Sequence, residues 1–141
     1  VVERLAGHDM MAAEGTTQAL RRTIDASLQL RGASAPTILS IPDAYGALIL
    51  KAAAHMVDKR NPGRHLRDAV ILLACLEDPF SVEERPAFQS DARRVRHLEK
   101  VLADDNAAWL AVDGQARADS RAALAILCEI AGRRSSADLA P

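Results

Sequence analysis

Two hydrophobic patterns divide the chain near residue 42. From 17 to 30 the apolar side chains fall on even positions, and the polar side chains fall mainly on odd positions. The apolar positions are Leu20, Ile24, Ala26, Leu28 and Leu30. This alternation is typical of a strand, although the spacing of four between residues 20, 24 and 28 also fits a helix. The turn sequence RGASAP and a second apolar run, TILSI, favour a β-hairpin over about 18–41.

Beyond residue 42 the apolar spacing becomes helical. A first helix is predicted from 43 to about 60, where the triplet Asn61-Pro62-Gly63 ends it. In that triplet Asn61 is predicted to cap a second helix and Pro62 to occupy its first position. The second helix runs to about 77, where a segment with two prolines and several charges follows.

Two further helices are predicted in the remaining part of the chain. Ser90 is predicted to cap a third helix from 91 to about 102, and 118–132 forms a last helix that ends at Gly132. A short segment around Trp109 lies between them. The predicted fold is therefore α+β and mainly α, with a small hairpin packed on an array of four to five helices.

Length and composition favour a single domain. The chain has 141 residues, of which 49% are hydrophobic and 26% charged, and its net charge is -1. We divide it into an N-terminal segment (1–16), the hairpin (17–42), the helical region (43–132) and a tail (133–141) that is predicted to be disordered.

Charge and hydropathy also narrow the range of partners. The near-neutral charge argues against nucleic acid, and the basic stretch DARRVRHLEK is interpreted as a solvated helix face because acids interrupt it. No apolar run approaches the ~18 residues of a membrane span. We expect a cytoplasmic protein without membrane contact.

Candidate chemistry is concentrated around the Asn61-Pro62-Gly63 turn. At about 100° per residue, Lys51, His55, Asp58 and Lys59 share one face of the first helix. In an antiparallel helical hairpin, residue 55 lies roughly opposite residue 68, so Lys51, His55 and Asp68 can meet. Ordinary structural roles stay open, because Arg64 stands four residues before Asp68 and the lysine can extend along a helix surface.

The same stretch carries a resemblance to a known family. A strand with an internal acid, a second strand ending in IPD, and then ALILKAAAH and RHLRDAVILL resemble nucleotidyltransferase-fold proteins of the AbiEii/AbiGii toxin type. The resemblance covers roughly residues 18–80 and rests on short motifs. Lys51 with Ala54 matches a Lys-x-x-Ala motif, and Asp68 matches the last acid of a Lys-Asp-x-x-Asp motif. The first acid of that second motif is His65 here.

The resemblance implies functional roles for particular residues. It implies catalytic roles for Lys51, His65 and Asp68, with Lys51 and Arg64 contacting a bound nucleoside triphosphate. Asp25 would be a metal ligand from its strand, so the implied cofactors are Mg²⁺ and the nucleotide.

One element of that family is missing from this sequence. Its members carry a Gly-Ser turn followed by an Asp-x-Asp pair that binds metal ions, and no such element stands here. We therefore expect this chain alone to be inactive and to bind no such cofactor, as a C-terminal fragment or a degenerate member would. An in-frame extension before Val1 would then encode the missing turn and acids.

A second interpretation is a non-catalytic helical module that binds a protein partner, of a toxin-antitoxin or regulatory type. The two hypotheses make different structural predictions. A nucleotide site should bring Lys51 and Asp68 into one pocket beside Asp25. An interaction module should instead bury or scatter Lys51 and Asp68 and expose an apolar groove. The oligomeric state does not follow from the sequence.

Overall fold

The computed structural model describes residues 21–84 and 89–137, together with the backbone of two short strands near the N-terminus. These strands, β1 (Arg4–Leu5) and β2 (His8–Asp9), pair antiparallel. Side chains are described for 21–84 and 90–134. The predicted N-terminal segment (1–16) lies largely outside the described residues.

A two-stranded antiparallel hairpin follows, as the alternation predicts. Strand β3 (Thr23–Leu28) pairs with β4 (Thr37–Pro42), with Asp25 opposite Ser40. The turn between them contains Gly32 at φ 85°, a left-handed conformation that glycine adopts without strain. The strand interpretation of this segment is confirmed for residues 23–28, and residues 17–20 lie outside the described part.

The rest of the described chain is helical, so the α+β, mainly α prediction is confirmed. Four α-helices and two 3-10 helices follow one another. They are α1 (Ala44–Val57), α2 (Pro62–Ala74), the 3-10 helix Pro79–Glu84, α3 (Gln89–Val101), the 3-10 helix Ala107–Ala111 and α4 (Gly114–Ala137).

The helical hairpin of α1 and α2 forms where the sequence predicts it. Asp43 caps α1 by accepting a hydrogen bond from the Gly46 amide at 2.7 Å, and Pro62 is the first residue of α2. Asn61 occupies the predicted N-cap position of α2, but its side chain makes no capping hydrogen bond. Instead Asp58 organises the turn by accepting from the backbone amides of Arg60 and Asn61.

The core lies between the helices. Leu48 and Ile49 of α1 and Val70 of α2 have no exposed surface. Leu98 of α3 and Leu127 of α4 complete the same cluster, at 0% and 1% exposure. Each helix presents one apolar stripe to the others, which is the arrangement that helical periodicity produces.

The predicted boundaries of two helices, α3 and α4, are wrong. Helix α3 begins at Gln89, so Ser90 lies within it rather than capping it. Helix α4 begins at Gly114 and continues through Gly132 to Ala137. The reason is tertiary, since Arg134 donates hydrogen bonds to the carbonyls of Val82 and Glu83 and holds the last turns in place. The predicted disordered tail is therefore helical over 133–137, and 138–141 lies outside the described residues.

The hairpin joins the helical array at its base. The guanidinium of Arg22 donates to Asp91 of α3 at 2.7 Å, and both side chains are about 95% buried or more, with 5% and 3% exposure. The Arg22 carbonyl accepts from the Asp43 amide at 2.7 Å. A Cβ at Gly46 would lie 3.1 Å from that same carbonyl, so a glycine lets α1 pack closely here.

The Arg22–Asp91 pair also changes the interpretation of α3. Asp91 and Arg94 are 2% and 4% exposed, and a second ion pair joins Arg94 to Asp91 at 3.8 Å. The prediction that DARRVRHLEK is a solvated face is therefore wrong for these two residues. It holds for residues such as Arg93, which is exposed.

Candidate functional site

A line of polar side chains, which we call the polar seam, follows one face of α1. It consists of Lys51, His55 and Asp58 on α1 and their partners on α2 and α3. Residues four or three apart share a helix face, which explains why these three project together. Each of them makes a contact with another helix, so the polar seam lies along two helix boundaries.

The first contact of the polar seam joins Lys51 to Asp68. The lysine Nζ lies 2.6 Å from the aspartate Oδ2, as the antiparallel hairpin predicts. Asp68 thus pairs across the hairpin and not with Arg64, four residues before it in α2. The two side chains are 35% and 43% exposed, so water screens the pair and a ligand can reach it.

The second contact joins His55 to His97 of α3. Their Nδ1 and Nε2 atoms are 2.8 Å apart, within the range of an N–H···N hydrogen bond. Burial lowers the pKa of both imidazoles below the usual value of 6.5. His97 and His65 lower the His55 pKa further, and Lys100 does the same for His97. Both rings are therefore neutral at neutral pH, and the expected proximity of His55 to Lys51 and Asp68 is replaced by a contact with α3.

The third contact gathers around Asp58 at the end of α1. Its carboxylate accepts from the Arg60 amide at 2.8 Å and the Asn61 amide at 3.2 Å, and lies 2.9 Å from His65 Nε2. Arg64 approaches the same carboxylate at 3.3 Å. The backbone amides of Arg60 and Asn61 are the main reason that the pKa of Asp58 falls to about 2. His65 and Arg64, assigned to catalysis and nucleotide contact by the resemblance, both serve this turn.

Among the described residues, no hydrogen bond or ion pair joins Asp25 to the polar seam. Asp25 is exposed on β3 and accepts a hydrogen bond from Ser40 Oγ at 3.0 Å. Among the described side chains, no three His, Cys, Asp or Glu residues come close enough together to hold a metal ion. Asp25 therefore belongs to no group of three such side chains in the described part of the chain, whereas a site for two Mg²⁺ ions needs two or three converging carboxylates.

An open groove lies between the start of α2 and the second 3-10 helix. It encloses about 560 Å³, and Leu66, Ala108 and Leu110 form much of its apolar lining. Arg67 and Asn61 supply polar groups at its edge. Leu110 is 72% exposed, although it is a large apolar residue. Neither Lys51 nor Asp68 of the polar seam lines this groove.

The Arg67 guanidinium is available to a ligand of the groove. The residue is exposed, and across 21–84 and 90–134 no hydrogen bond or ion pair engages its side chain. The Asn61 side chain likewise makes no capping bond. An arginine beside an apolar surface can bind a carboxylate through two parallel hydrogen bonds while its neighbours take up an apolar side chain.

Sequence reasoning missed three of the residues that matter here. His97 gives no functional signal in the sequence, and its partner in the structure lies 42 positions away. Arg67 and Leu110 were also missed. The sequence did contain a signal for the exposure of Leu110. It lies next to Trp109 in a segment too short to form a second helical turn, so the segment itself offers little surface to cover the leucine.

Comparisons of the chain with protein-family models, with curated proteins and with solved structures found no match. None of the helices in the described part of the chain is both long and apolar enough to span a membrane.

Proposed function

We propose that this chain is a helical protein-interaction module whose binding site is the groove between α2 and the second 3-10 helix. The observation that carries the proposal is the pairing of an exposed Leu110 with an unengaged Arg67 guanidinium at one groove. When a partner covers an exposed apolar side chain, apolar surface is removed from water and the free energy falls. The Arg67 guanidinium beside it can bind a carboxylate of that partner and so fix the partner's orientation.

The occupant is a protein segment in which an apolar side chain neighbours a carboxylate. The end of the helical hairpin beside the groove is basic, with exposed Lys59, Arg60, Arg64 and Arg67. Of these four, Arg64 is drawn to Asp58 within the chain. An acidic segment is therefore attracted to this end by charge and anchored by its apolar side chain.

Selection from a random peptide library displayed on phage tests this proposal. Peptides selected on the wild-type chain should share a large apolar residue next to Asp or Glu. Their binding, measured by fluorescence anisotropy, should weaken at least tenfold in Leu110→Asp and in Arg67→Glu. Amide shifts in the wild-type chain should concentrate on the groove.

Two matched variants control for general effects of charge. Leu30→Asp changes another leucine that is 54% exposed, and Arg93→Glu changes another exposed arginine. Both should bind the selected peptides as the wild-type chain does. Peptides without acids, or peptides that lose binding equally in the control variants, would overturn the proposal.

The second candidate is a nucleotidyltransferase-like role, and the Lys51–Asp68 pair favours it. A lysine and an aspartate that meet across a helical hairpin and stay partly open to water support it, although no hydrogen bond or ion pair among the described residues joins them to Asp25. The described residues supply no metal site, so we propose that this chain alone transfers no nucleotide. Incubation with Mg²⁺ and each labelled nucleoside triphosphate should leave protein and nucleic-acid acceptors unlabelled. Labelling that disappears in Lys51→Ala would contradict the inactivity and favour the enzyme.

A further inference from the structure

One contact of the polar seam joins two helices through imidazoles instead of opposite charges. His55 Nδ1 and His97 Nε2 are 2.8 Å apart, while the ring centroids are 5.0 Å apart. Each nitrogen lies one ring radius from the centre of its own ring. The distance between the ring centroids exceeds the distance between the nitrogens by nearly two such radii, so the two nitrogens face each other. One hydrogen fits between them, donated by one ring to the lone pair of the other.

We propose that the His55–His97 pair is a proton-operated clasp, which holds α1 against α3 when at most one extra proton is bound and releases it when both rings are protonated. With no extra proton, one ring donates and the other accepts. When one extra proton is bound, the protonated ring donates and the neutral ring still has a lone pair that accepts the hydrogen bond. A second extra proton puts N–H groups on both facing nitrogens and a positive charge on both rings, so attraction becomes repulsion.

The surroundings of the clasp favour release over stabilisation of two charges. Of the charged and titratable side chains, His65 and His97 act on the pKa of His55, and Lys100 acts on the pKa of His97. Lys51 and Asp58 lie within about one helical turn of His55 along the chain, and Arg93 and Arg94 lie within about one turn of His97. The carboxylates of Asp58, just after α1, and Asp68, on α2, are both engaged, with His65 and with Lys51. Helix α4 contacts another face of α3, where Arg96 donates to the Ala131 carbonyl.

The direction of the pH effect follows from linkage. The pKa of each ring is lowered below 6.5 in the folded chain, mainly by burial. On acidification the unfolded chain therefore takes up protons first, which favours unfolding. The contribution of the clasp is complete above pH 6.5 and is lost as the pH falls through 6.5 towards the folded-state pKa values.

Urea unfolding of the full chain, from about pH 7.5 to about pH 5 with EDTA present, tests the clasp. The wild-type midpoint should stay constant above pH 6.5 and fall below it. His97→Gln and His55→Gln should each remove most of that fall, and the double variant should remove no more than either single variant. His8→Gln, a change to a histidine outside the described side chains, should leave the fall unchanged.

An NMR titration of the wild-type histidine rings provides a readout that does not depend on the variants folding. Both His55 and His97 should titrate below 6.5, and their two curves should be coupled. A flat wild-type midpoint over this range, a His97→Gln chain with the full wild-type fall, or either ring titrating above 6.5 would each overturn the proposal.

Discussion

The helical array and the β3–β4 hairpin are built from similar apolar residues, but they bury them very differently. Ile49 and Val70 in the helices are fully buried, whereas Ile24, Ile38 and Leu39 in the hairpin are 55%, 58% and 44% exposed. Four helices can cover one another's apolar stripes. Two strands form a single layer, which needs a second layer to bury either face. Periodicity therefore shows which side chains share a face, but not whether another element covers that face.

The two regions also depend on different interactions. Dispersion and burial hold the helices together, while the hairpin is joined to them through the buried Arg22–Asp91 contact at its base. Removing a charge should therefore reduce stability most where the β3–β4 hairpin meets the helical array. Four experiments test this difference, from the largest expected effect to the smallest.

Asp91→Asn should be the most damaging substitution in these experiments. It removes the carboxylate that faces two buried guanidiniums, at 2.7 Å from Arg22 and 3.8 Å from Arg94. Breaking a buried ion pair on one side costs about 3–5 kcal/mol, because the remaining charge stays in a place that water does not reach. Urea unfolding should show this loss, and Asp105→Asn at an exposed acid should show almost none. A loss of less than about 1 kcal/mol would mean that the hairpin is held by other contacts.

Leucine-to-alanine changes in the two regions compare them directly. Leu73→Ala, at a residue 1% exposed, should cost about 2–5 kcal/mol through lost burial and a cavity. Leu39→Ala, at a residue 44% exposed, should cost about 1 kcal/mol or less. Thermal or urea unfolding of both variants measures the difference. Equal losses would show that the hairpin face is covered in solution, for instance by a second copy of the chain.

Asp58 makes the stability of the helical hairpin sensitive to strong acid. Its pKa is lowered from 3.8 to about 2, chiefly by the Arg60 and Asn61 amides that it accepts from. The unfolded chain takes up this proton first, so the contribution of Asp58 is present above pH 3.8 and is lost as the pH falls through about 2. Asp58→Asn should be less stable than the wild type at neutral pH, and the gap should close towards pH 2. A gap that is constant with pH would contradict this account.

Lys51→Ala should have the smallest effect on stability. The Lys51–Asp68 pair is 35% and 43% exposed, and pairs of this kind contribute about 0–1 kcal/mol. A double-mutant cycle with Asp68→Ala measures the coupling itself. If Lys51→Ala lowers the melting temperature as much as Leu73→Ala, then the lysine is structural and the nucleotide hypothesis loses its main residue.

Local contacts account for most of what could be predicted. The pairing of Lys51 with Asp68 follows from an antiparallel hairpin around one short turn, since the turn position fixes which residues lie opposite each other. Local signals were less reliable at helix ends. Asn61 and Ser90 both resemble caps, but the Asn61 side chain makes no capping hydrogen bond and α3 begins before Ser90. A residue type that suits a cap does not fix which backbone amides its side chain reaches, because the backbone geometry at the helix end decides that.

The sequence by itself determined the strand alternation of the hairpin and the helical hairpin at Asn61-Pro62-Gly63. Each depends on residues close together in the chain. Only the tertiary structure decided that His97 meets His55, that Asp91 is buried and that α4 continues past Gly132. Those outcomes depend on how α3 and α4 pack against distant segments. Packing depends on many weak contacts between segments that are distant in the chain, so a short stretch of sequence cannot predict it.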